Sequence, residues 1–390
     1  MHRPAEPSRP PGAFPRLARL FFWVHLKRSY RGRRVVALLA ALASCCLLAA
    51  PSLASAATPH PKPANPKPAY WGAWIGDQIT GEGAPWDMNA VTYFEQLVGK
   101  APSLIEFSSP WQICGAAGCT PYDFPREAVE NIRGYGAIPV YSWGAESSPR
   151  SSENQPGFQL AKIIGGAYDG YIAQFASEAR EWGHPFFLRL NWEMNGTWFP
   201  WSELVNGNGP GQYVAAWRHI HEIFNAVGAS NATWLWCPYA DTEKRLKKTP
   251  LKPLYPGNRY VDWTCLDGYN WGRNPVNPKP WRSFGELFDP AYKEVTKKVA
   301  PRKPLMLAEF ATSPSGGHKA AWIREMFEKL PRKYPRIRAL IYFNTVDRGI
   351  DWPLETSPPA ARAFAKGIRK SIYANNRFGE LASSPIPPLR

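Results

Sequence analysis

Eight short apolar runs, spread over residues 69–344, constrain the fold of this chain more than any other feature. Each spans only six to nine residues, which is short for a helix, and most are apolar at consecutive positions, as in parallel strands that are buried on both faces. We therefore predict eight strands. The runs are AYWGAWIGD (69–77), SLIEFS (103–108), AIPVYSWG (137–144), FFLRLNWE (186–193), TWLWCPY (233–239), WTCLDGYNW (263–271), LMLAEF (305–310) and IRALIYFN (337–344).

Between several of these runs, apolar residues recur at the spacing of an amphipathic helix. One set ends before Gly183 and consists of Tyr168, Ile172, Phe175, Ala179 and Trp182. A second set ends before Gly228 and consists of Tyr213, Trp217, Ile220, Phe224 and Val227. Strands that alternate with such helices predict an α/β protein with a single (β/α)8 TIM barrel over residues 70–375.

The first 56 residues have the pattern of a secretion signal. A basic region ends in RGRR, an apolar run covers residues 35–50, and Ala54-Ser55-Ala56 offers a small-residue cleavage site, so the exported chain would begin near Ala57. Sec export, twin-arginine export and a lipoprotein signal all remain possible from the sequence. The apolar run is short for a membrane span, so we expect a secreted, extracellular protein without a stable membrane anchor.

A Pro- and Lys-rich segment at residues 57–69 predicts an extended linker, and residues 376–390 are predicted to form a C-terminal tail. The formal net charge of +16 does not indicate nucleic-acid binding, because residues 1–56 carry nine Lys or Arg and one acid, which is half of that charge. The other basic cluster, EKRLKKTPLK at 243–252, lacks interleaved aromatic residues and is interpreted as a solvated loop.

Acidic residues stand at the ends of four predicted strands, where TIM barrels carry their reactive groups. They are Asp77, Glu193, Asp267 and Glu309. Since side chains alternate along a strand, Arg189 and Glu193 share one face, which we assign to the barrel interior. An Arg189–Glu309 ion pair is the structural alternative for Glu309, while Asp77 and Asp267 are expected to hydrogen-bond loops.

No phosphate loop, nucleophilic serine elbow or spaced Cys/His set occurs in the sequence, so neither a metal nor an organic cofactor is expected. Aromatic residues make up 14% of the chain and 18 residues are Trp, which favours an aromatic-lined groove. Two glutamates in such a groove are typical of glycoside hydrolysis, and the expected partner is therefore a polysaccharide substrate.

The stretch RLNWEMNGTWFPW (189–201) and the later LAEF resemble glycoside hydrolase family 26, which contains endo-β-1,4-mannanases and some β-glucanases. FEQLVGK (94–100), YVDWTCLDGYNWG (260–272) and YFN followed by DWPLETSP extend the resemblance over most of the chain after residue 70. It implies that Glu193 is the acid/base and Glu309 the nucleophile. Tyr269 resembles the tyrosine that hydrogen-bonds the nucleophile, and Trp198 an aromatic residue beside the cleaved bond.

One position departs from the family pattern, because Trp192 replaces the usual His before the acid/base. Further substrate-binding candidates, each with core packing or structural pairing as an alternative, are Arg189, Asn191, Trp143, Trp201, Trp271 and Trp352. Trp74 is expected in the core.

We predict a retaining endo-glycosidase that acts on β-1,4-mannan or glucomannan. The alternatives are a mixed-linkage β-glucanase or β-xylanase of the same family and a non-catalytic polysaccharide-binding barrel. The oligomeric state remains open. Cys114 and Cys119 flank a short GAAG loop and are the disulfide candidate, whereas Cys237 and Cys265 could be paired or free.

Overall fold

A computed structural model describes residues 66–149, 152–241 and 250–390. The predicted secretion signal, most of the linker and most of the basic cluster lie outside the described residues. Within the part of the chain that is described, none of the helices has the length and apolar character needed to cross a membrane.

Eight parallel strands close into a barrel, which confirms the predicted (β/α)8 fold. Each strand is hydrogen-bonded to its sequence neighbours, and β8 returns to β1 to close the ring. The strands are β1 (Tyr70–Ile75), β2 (Leu104–Gly115), β3 (Ile138–Ser148), β4 (Phe186–Leu190), β5 (Ala232–Trp236), β6 (Trp263–Asn270), β7 (Leu305–Thr312) and β8 (Ile337–Asn344).

Helices pack around this barrel, and both helices predicted from periodicity are present. They are α1 (Met88–Val98), α2 (Arg126–Tyr135), α3 (Leu160–Ile164), α4 (Asp169–Trp182), α5 (Gln212–Val227), α6 (Phe284–Glu294), α7 (Lys319–Lys333) and α8 (Pro358–Ile368). A π-helical turn, Val295–Val299, extends α6. Between β5 and β6, the described residues contain only a 3₁₀ turn, Lys252–Leu254.

Glycines with positive φ end α4 and α5 at the predicted positions. Gly183 has φ 77° and Gly228 has φ 80°, a backbone conformation that disfavours residues with a Cβ. Their backbone N–H groups satisfy carbonyls in the last helical turn. The chain then enters β4 and β5 within a few residues. Because all eight strands pair in parallel, their C-terminal ends lie at the same end of the barrel.

Residues 376–390, predicted as a tail, pack against the opposite end of the barrel. Ile386 is buried with the residues that fill the barrel interior, among them Phe187 and Met306. Its N–H donates to the Thr233 hydroxyl at 2.9 Å, and its carbonyl accepts a hydrogen bond from the Trp263 indole at 2.8 Å. Thr233 and Trp263 lie at the beginnings of β5 and β6, so the tail covers the end of the barrel away from the predicted active site.

Two disulfides are present among the described residues. Cys114–Cys119 joins the end of β2 to the short antiparallel strand Gly118–Pro121, and Cys237–Cys265 joins the segment after β5 to β6. The first is the predicted pair, and the second is one of the two alternatives that the sequence left open.

Candidate active site

A cavity of about 590 Å³ opens at the C-terminal ends of the barrel strands, and both candidate glutamates line it. Its wall is predominantly aromatic, and charged residues make up most of the remainder. The lining residues are Trp74, Trp192, Glu193, Trp198, Phe199, Tyr239, Asp241, Tyr269, Trp271, Asn277, Lys279, Glu309, Phe343, Asp347, Arg348 and Trp352. In the described part of the chain, no group of three or more His, Cys, Asp or Glu residues forms a metal site.

Glu193 is presented to the cavity by a tight turn that follows β4. The residue has φ 52°, and its N–H donates to the Cys237 carbonyl at 2.6 Å. The Asn195-Gly196 pair that follows the glutamate holds this turn in place. The Asn195 side chain binds both the N–H and the carbonyl of Tyr239, at 2.8 and 2.9 Å, and the Gly196 N–H closes the turn onto the Glu193 carbonyl at 2.9 Å. The turn is therefore tied, at the glutamate and just behind it, to the segment that follows β5.

Burial raises the pKa of Glu193 from an ordinary value of 4.5 to about 8, and the charge of Glu309 acts in the same direction. The positive charges of Arg189 and Arg348 oppose this shift. So does the indole N–H of Trp198, which donates a hydrogen bond to Oε2 of Glu193. The outcome is a carboxyl group that keeps its proton at neutral pH and faces an aromatic cavity, as a general acid requires.

Glu309, on β7, is held by donors on both of its carboxylate oxygens. Nη1 of Arg189 lies 2.5 Å from Oε1, and the Tyr269 hydroxyl donates to Oε2. These contacts stabilise the charged form and fix its orientation. The ion pair with Arg189 that the sequence offered as a structural alternative is thus present, and the same glutamate also lines the cavity.

Arg189 lies fully buried beneath the cavity and bonds two more acids, Glu106 and Asp267. Its Nη1 is 2.8 Å from Oε1 of Glu106 and 2.9 Å from the Ser142 hydroxyl. Asp267 was expected to bond a loop, and its backbone does bond Pro238 and Ala240 in the segment after β5. Its carboxylate, however, faces the barrel interior and accepts a hydrogen bond from Nη2 of Arg189.

Glu106 is the main functional-site residue that the sequence analysis missed. Burial raises its pKa to about 8, and burial likewise raises the pKa of Asp267 well above its ordinary range. One guanidinium shared by several carboxyl groups cannot balance them all in the ionised state, so protonation relieves the excess negative charge. A single acid interrupts the apolar run SLIEFS, but Glu106 lies in mid-strand and not at the strand end, where a TIM barrel carries its reactive groups.

Three predicted substrate-binding residues lie behind the cavity wall. Trp143 and Trp201 are fully buried and stack on Phe175 and Phe199, with ring centroids 4.2 and 4.4 Å apart. The Asn191 side chain accepts the Ala145 N–H at 2.9 Å. The two tryptophans thus have the core packing that the sequence left open as an alternative, and the Asn191 side chain shapes the turn before Glu193. Arg189 likewise acts on the cavity only through the groups it binds.

The other aromatic candidates reach the cavity, as does one residue that was assigned to the core. Trp198, Tyr269, Trp271 and Trp352 all line it. Trp74 does too, contrary to the sequence prediction, because its position on β1 places the ring at the open end of the barrel.

Trp192 occupies the position at which the family pattern has His. Its ring lies over the Arg189 guanidinium, 4.9 Å from ring centroid to Cζ, and contacts Trp201 at a centroid distance of 5.0 Å. The ring therefore covers Arg189 on the side of the cavity and presents an aromatic surface there.

Comparisons with known proteins agree with this geometry. The sequence model of glycosyl hydrolase family 26 matches residues 144–298. Endoglucanase H of Acetivibrio thermocellus is 30% identical over 301 residues, which are 76% of this chain and 30% of that protein, so the chain spans less than a third of this relative.

Two solved structures have a similar fold. Bacillus subtilis mannanase BCman has a TM-score of 0.53 at 17% identity, with 83% of this chain and 92% of that chain covered. The family 26 domain of an endo-β-mannanase/endo-β-glucanase from Prevotella bryantii has a TM-score of 0.55 at 15% identity, with 81% and 92% covered.

Proposed function

Because the chain belongs to glycosyl hydrolase family 26, we propose that it is a secreted, retaining endo-glycosidase that cleaves β-1,4-mannan or glucomannan. The observation that carries the proposal is that Glu193 and Glu309 line one aromatic cavity in contrasting environments. The expectation of secretion rests on the basic and apolar pattern of residues 1–56.

In the proposed mechanism, the Glu309 carboxylate attacks the anomeric carbon while Glu193 protonates the departing glycosidic oxygen. The bond from the anomeric carbon to the leaving sugar breaks, and a glycosyl-enzyme ester forms on Glu309. Glu193 then removes a proton from water, which attacks the same carbon and releases Glu309 as a carboxylate. The contacts of Arg189 and Tyr269 with Glu309 support this assignment, because they stabilise the charge that the nucleophile carries before and after each turnover.

A second candidate substrate is a β-glucan. Endoglucanase H, the relative that is 30% identical, is named for glucan hydrolysis, and Trp192 replaces the polar His of the mannanase-like pattern with an aromatic surface. Xylan remains a third possibility within the family, and a non-catalytic sugar-binding barrel is the alternative outside catalysis. Release of reducing ends from galactomannan, glucomannan, barley β-glucan and xylan distinguishes these four possibilities.

The two glutamate roles are tested by azide rescue on an activated β-aryl glycoside of the preferred sugar. Glu193→Ala should still form the glycosyl-enzyme, because the leaving group needs no proton, and azide should release the β-azide. Glu309→Ala cannot form the glycosyl-enzyme, so azide should displace the aryl group directly and give the α-azide. Glu82→Ala, at an exposed loop position, is the matched control and should hydrolyse polysaccharide normally. The same azide anomer from both variants would contradict the assignment.

A further inference from the structure

A two-residue hairpin turn at the cavity rim carries an arginine in an unfavourable backbone conformation. Val346–Asp347 and Ile350–Asp351 pair as antiparallel strands, joined by Arg348 and Gly349. The turn residues have φ 50° and 73°, as in a type I′ turn, which prefers Asn-Gly because left-handed φ disfavours most residues with a Cβ. Local folding preference therefore does not explain Arg348. A residue held in a disfavoured conformation beside a binding cavity points to a functional role.

The Arg348 side chain is directed over the cavity rim. Its guanidinium lies 5.5 Å from the ring centroid of Trp271, and its Nε donates to Oδ2 of Asp347 at 3.0 Å. The side chain is nevertheless 65% exposed. Asp347 and Arg348 both line the cavity that contains Glu193 and Glu309. The guanidinium is thus oriented by an aromatic ring and a carboxylate while much of its surface remains open to a ligand.

A continuous row of side chains connects this pair to the candidate acid/base. The Trp271 indole donates to the Tyr239 hydroxyl at 3.1 Å, and the Tyr239 ring contacts Trp198 edge-on, with centroids 5.1 Å apart. Trp198 in turn donates to Glu193. Arg348 therefore lies at the outer end of one cavity wall, and the Glu193 carboxyl lies at its inner end.

The base of the hairpin is firmly anchored, so its tip can hold a defined position. The buried ammonium of Lys319 donates to the carbonyls of Asp351, Trp352 and Pro353, at 3.2, 2.8 and 2.7 Å. The Tyr342 hydroxyl adds a hydrogen bond to the Trp352 carbonyl at 2.8 Å. Preorganisation of this kind lowers the entropic cost of using the tip to bind a ligand.

We propose that Asp347 and Arg348 form a sugar-binding subsite at the outer end of this wall, where they hydrogen-bond adjacent hydroxyls of one unit of the β-glycan. The guanidinium provides several donors in a fixed plane, and the neighbouring carboxylate provides acceptors, a combination that matches two hydroxyls on neighbouring carbons. Trp271 contributes by supporting Arg348, which covers its face. The inference rests on the proposed function, because the ligand is a unit of the polysaccharide that the glutamates cleave.

The test exploits the turn itself. Arg348→Asn creates the Asn-Gly dipeptide that a type I′ turn prefers, so the thermal midpoint of the variant should equal or exceed that of the wild type. Its kcat/KM on a hexasaccharide of the preferred glycan should fall about ten-fold, mainly through KM, as expected when hydrogen bonds from a charged group are lost. Arg348→Lys keeps the charge without the planar fork and should give a smaller loss.

Arg259→Asn is the matched control. Arg259 is also exposed, and its guanidinium also lies 5.5 Å from a ring centroid, that of Tyr260. Neither Arg259 nor Tyr260 lines the cavity. Its kinetics should equal those of the wild type. Hexasaccharide kinetics of Arg348→Asn within two-fold of wild type would overturn the subsite while leaving the proposed function intact. A loss that accompanies a lowered thermal midpoint, with Arg348→Lys fully active, would make Arg348 a structural residue.

If the wild type hydrolyses none of the glycans, the proposed function fails, and binding of the same hexasaccharides is then compared by calorimetry. Weaker binding by Arg348→Asn than by wild type and Arg259→Asn would still support the subsite. Equal binding by all three proteins, or binding by none, would overturn it.

Discussion

Replacing Glu193 with Gln should remove catalysis and at the same time stabilise the fold at alkaline pH. The pKa of this carboxyl is raised from 4.5 to about 8, mainly by burial. A group with a raised pKa in the folded state stabilises the protein fully below its unfolded pKa, and this contribution is lost as the pH rises through the folded pKa. Glutamine cannot ionise, so the variant avoids that loss.

The size of the effect follows from the two pKa values. At about 1.4 kcal/mol per pH unit, the interval from 4.5 to about 8 corresponds to about 5 kcal/mol as an upper limit. Because the cavity is open and water can enter when Glu193 ionises, we expect the variant to exceed the wild type by about 2–5 kcal/mol at pH 9. The two proteins should be equally stable at pH 4.

Urea unfolding of both proteins at pH 4, 7 and 9 measures this difference. Other buried acids, such as Glu106, titrate in both proteins and largely cancel. Glu82→Gln, at an exposed position, is the control and should match the wild type at every pH. An unfolding free-energy difference between Glu193→Gln and wild type that does not change from pH 4 to pH 9 would refute the raised pKa, and with it the physical basis for Glu193 as a general acid.

Two further changes probe the groups that support the cavity. Arg189→Met should lower the free energy of unfolding at pH 8 by about 3–5 kcal/mol, because buried carboxylates lose their cation; at pH 5 the loss should be smaller, since Glu106 and Asp267 can take up protons. Urea unfolding at both pH values measures this, and an equal loss would contradict it. Lys319→Met should cost about 2–4 kcal/mol and raise KM for long glycans, because the carbonyls around Trp352 lose a buried donor. Unchanged stability and KM would show that this contact is unimportant.

The barrel could be predicted from the sequence because each strand is a separate apolar run. The predicted and observed strand ends differ where backbone conformation or pairing depends on tertiary contacts. The fourth run was predicted to continue to Glu193, but β4 ends at Leu190, since Asn191 and Glu193 adopt positive φ. The second run was predicted to end at Ser108, but β2 continues to Gly115, where it pairs with the antiparallel strand Gly118–Pro121. Neither positive φ nor this pairing has a periodic signature.

Which tryptophans reach the cavity could not be predicted for a related reason. The run AIPVYSWG is apolar at nearly every position, so alternation does not distinguish the side of β3 that faces the helices from the side that faces the barrel interior. Trp143 therefore appeared as good a subsite candidate as Trp271, although only Trp271 lines the cavity. Glu193 and Glu309 were easier to place, because a charge at the end of an apolar strand requires a polar partner or water.

The opposite roles that we propose for two chemically identical side chains rest on their different surroundings. Glu309 receives a guanidinium and a phenol hydroxyl, one on each oxygen, so its negative charge is compensated from within the barrel. Glu193 receives one indole N–H from Trp198, and its burial together with the charge of Glu309 outweighs the positive charges of Arg189 and Arg348. The rings around Glu193 therefore do more than offer surfaces to a sugar. They bury the carboxyl and raise its pKa, so that in the proposed mechanism it holds the proton that cleavage of a glycosidic bond requires.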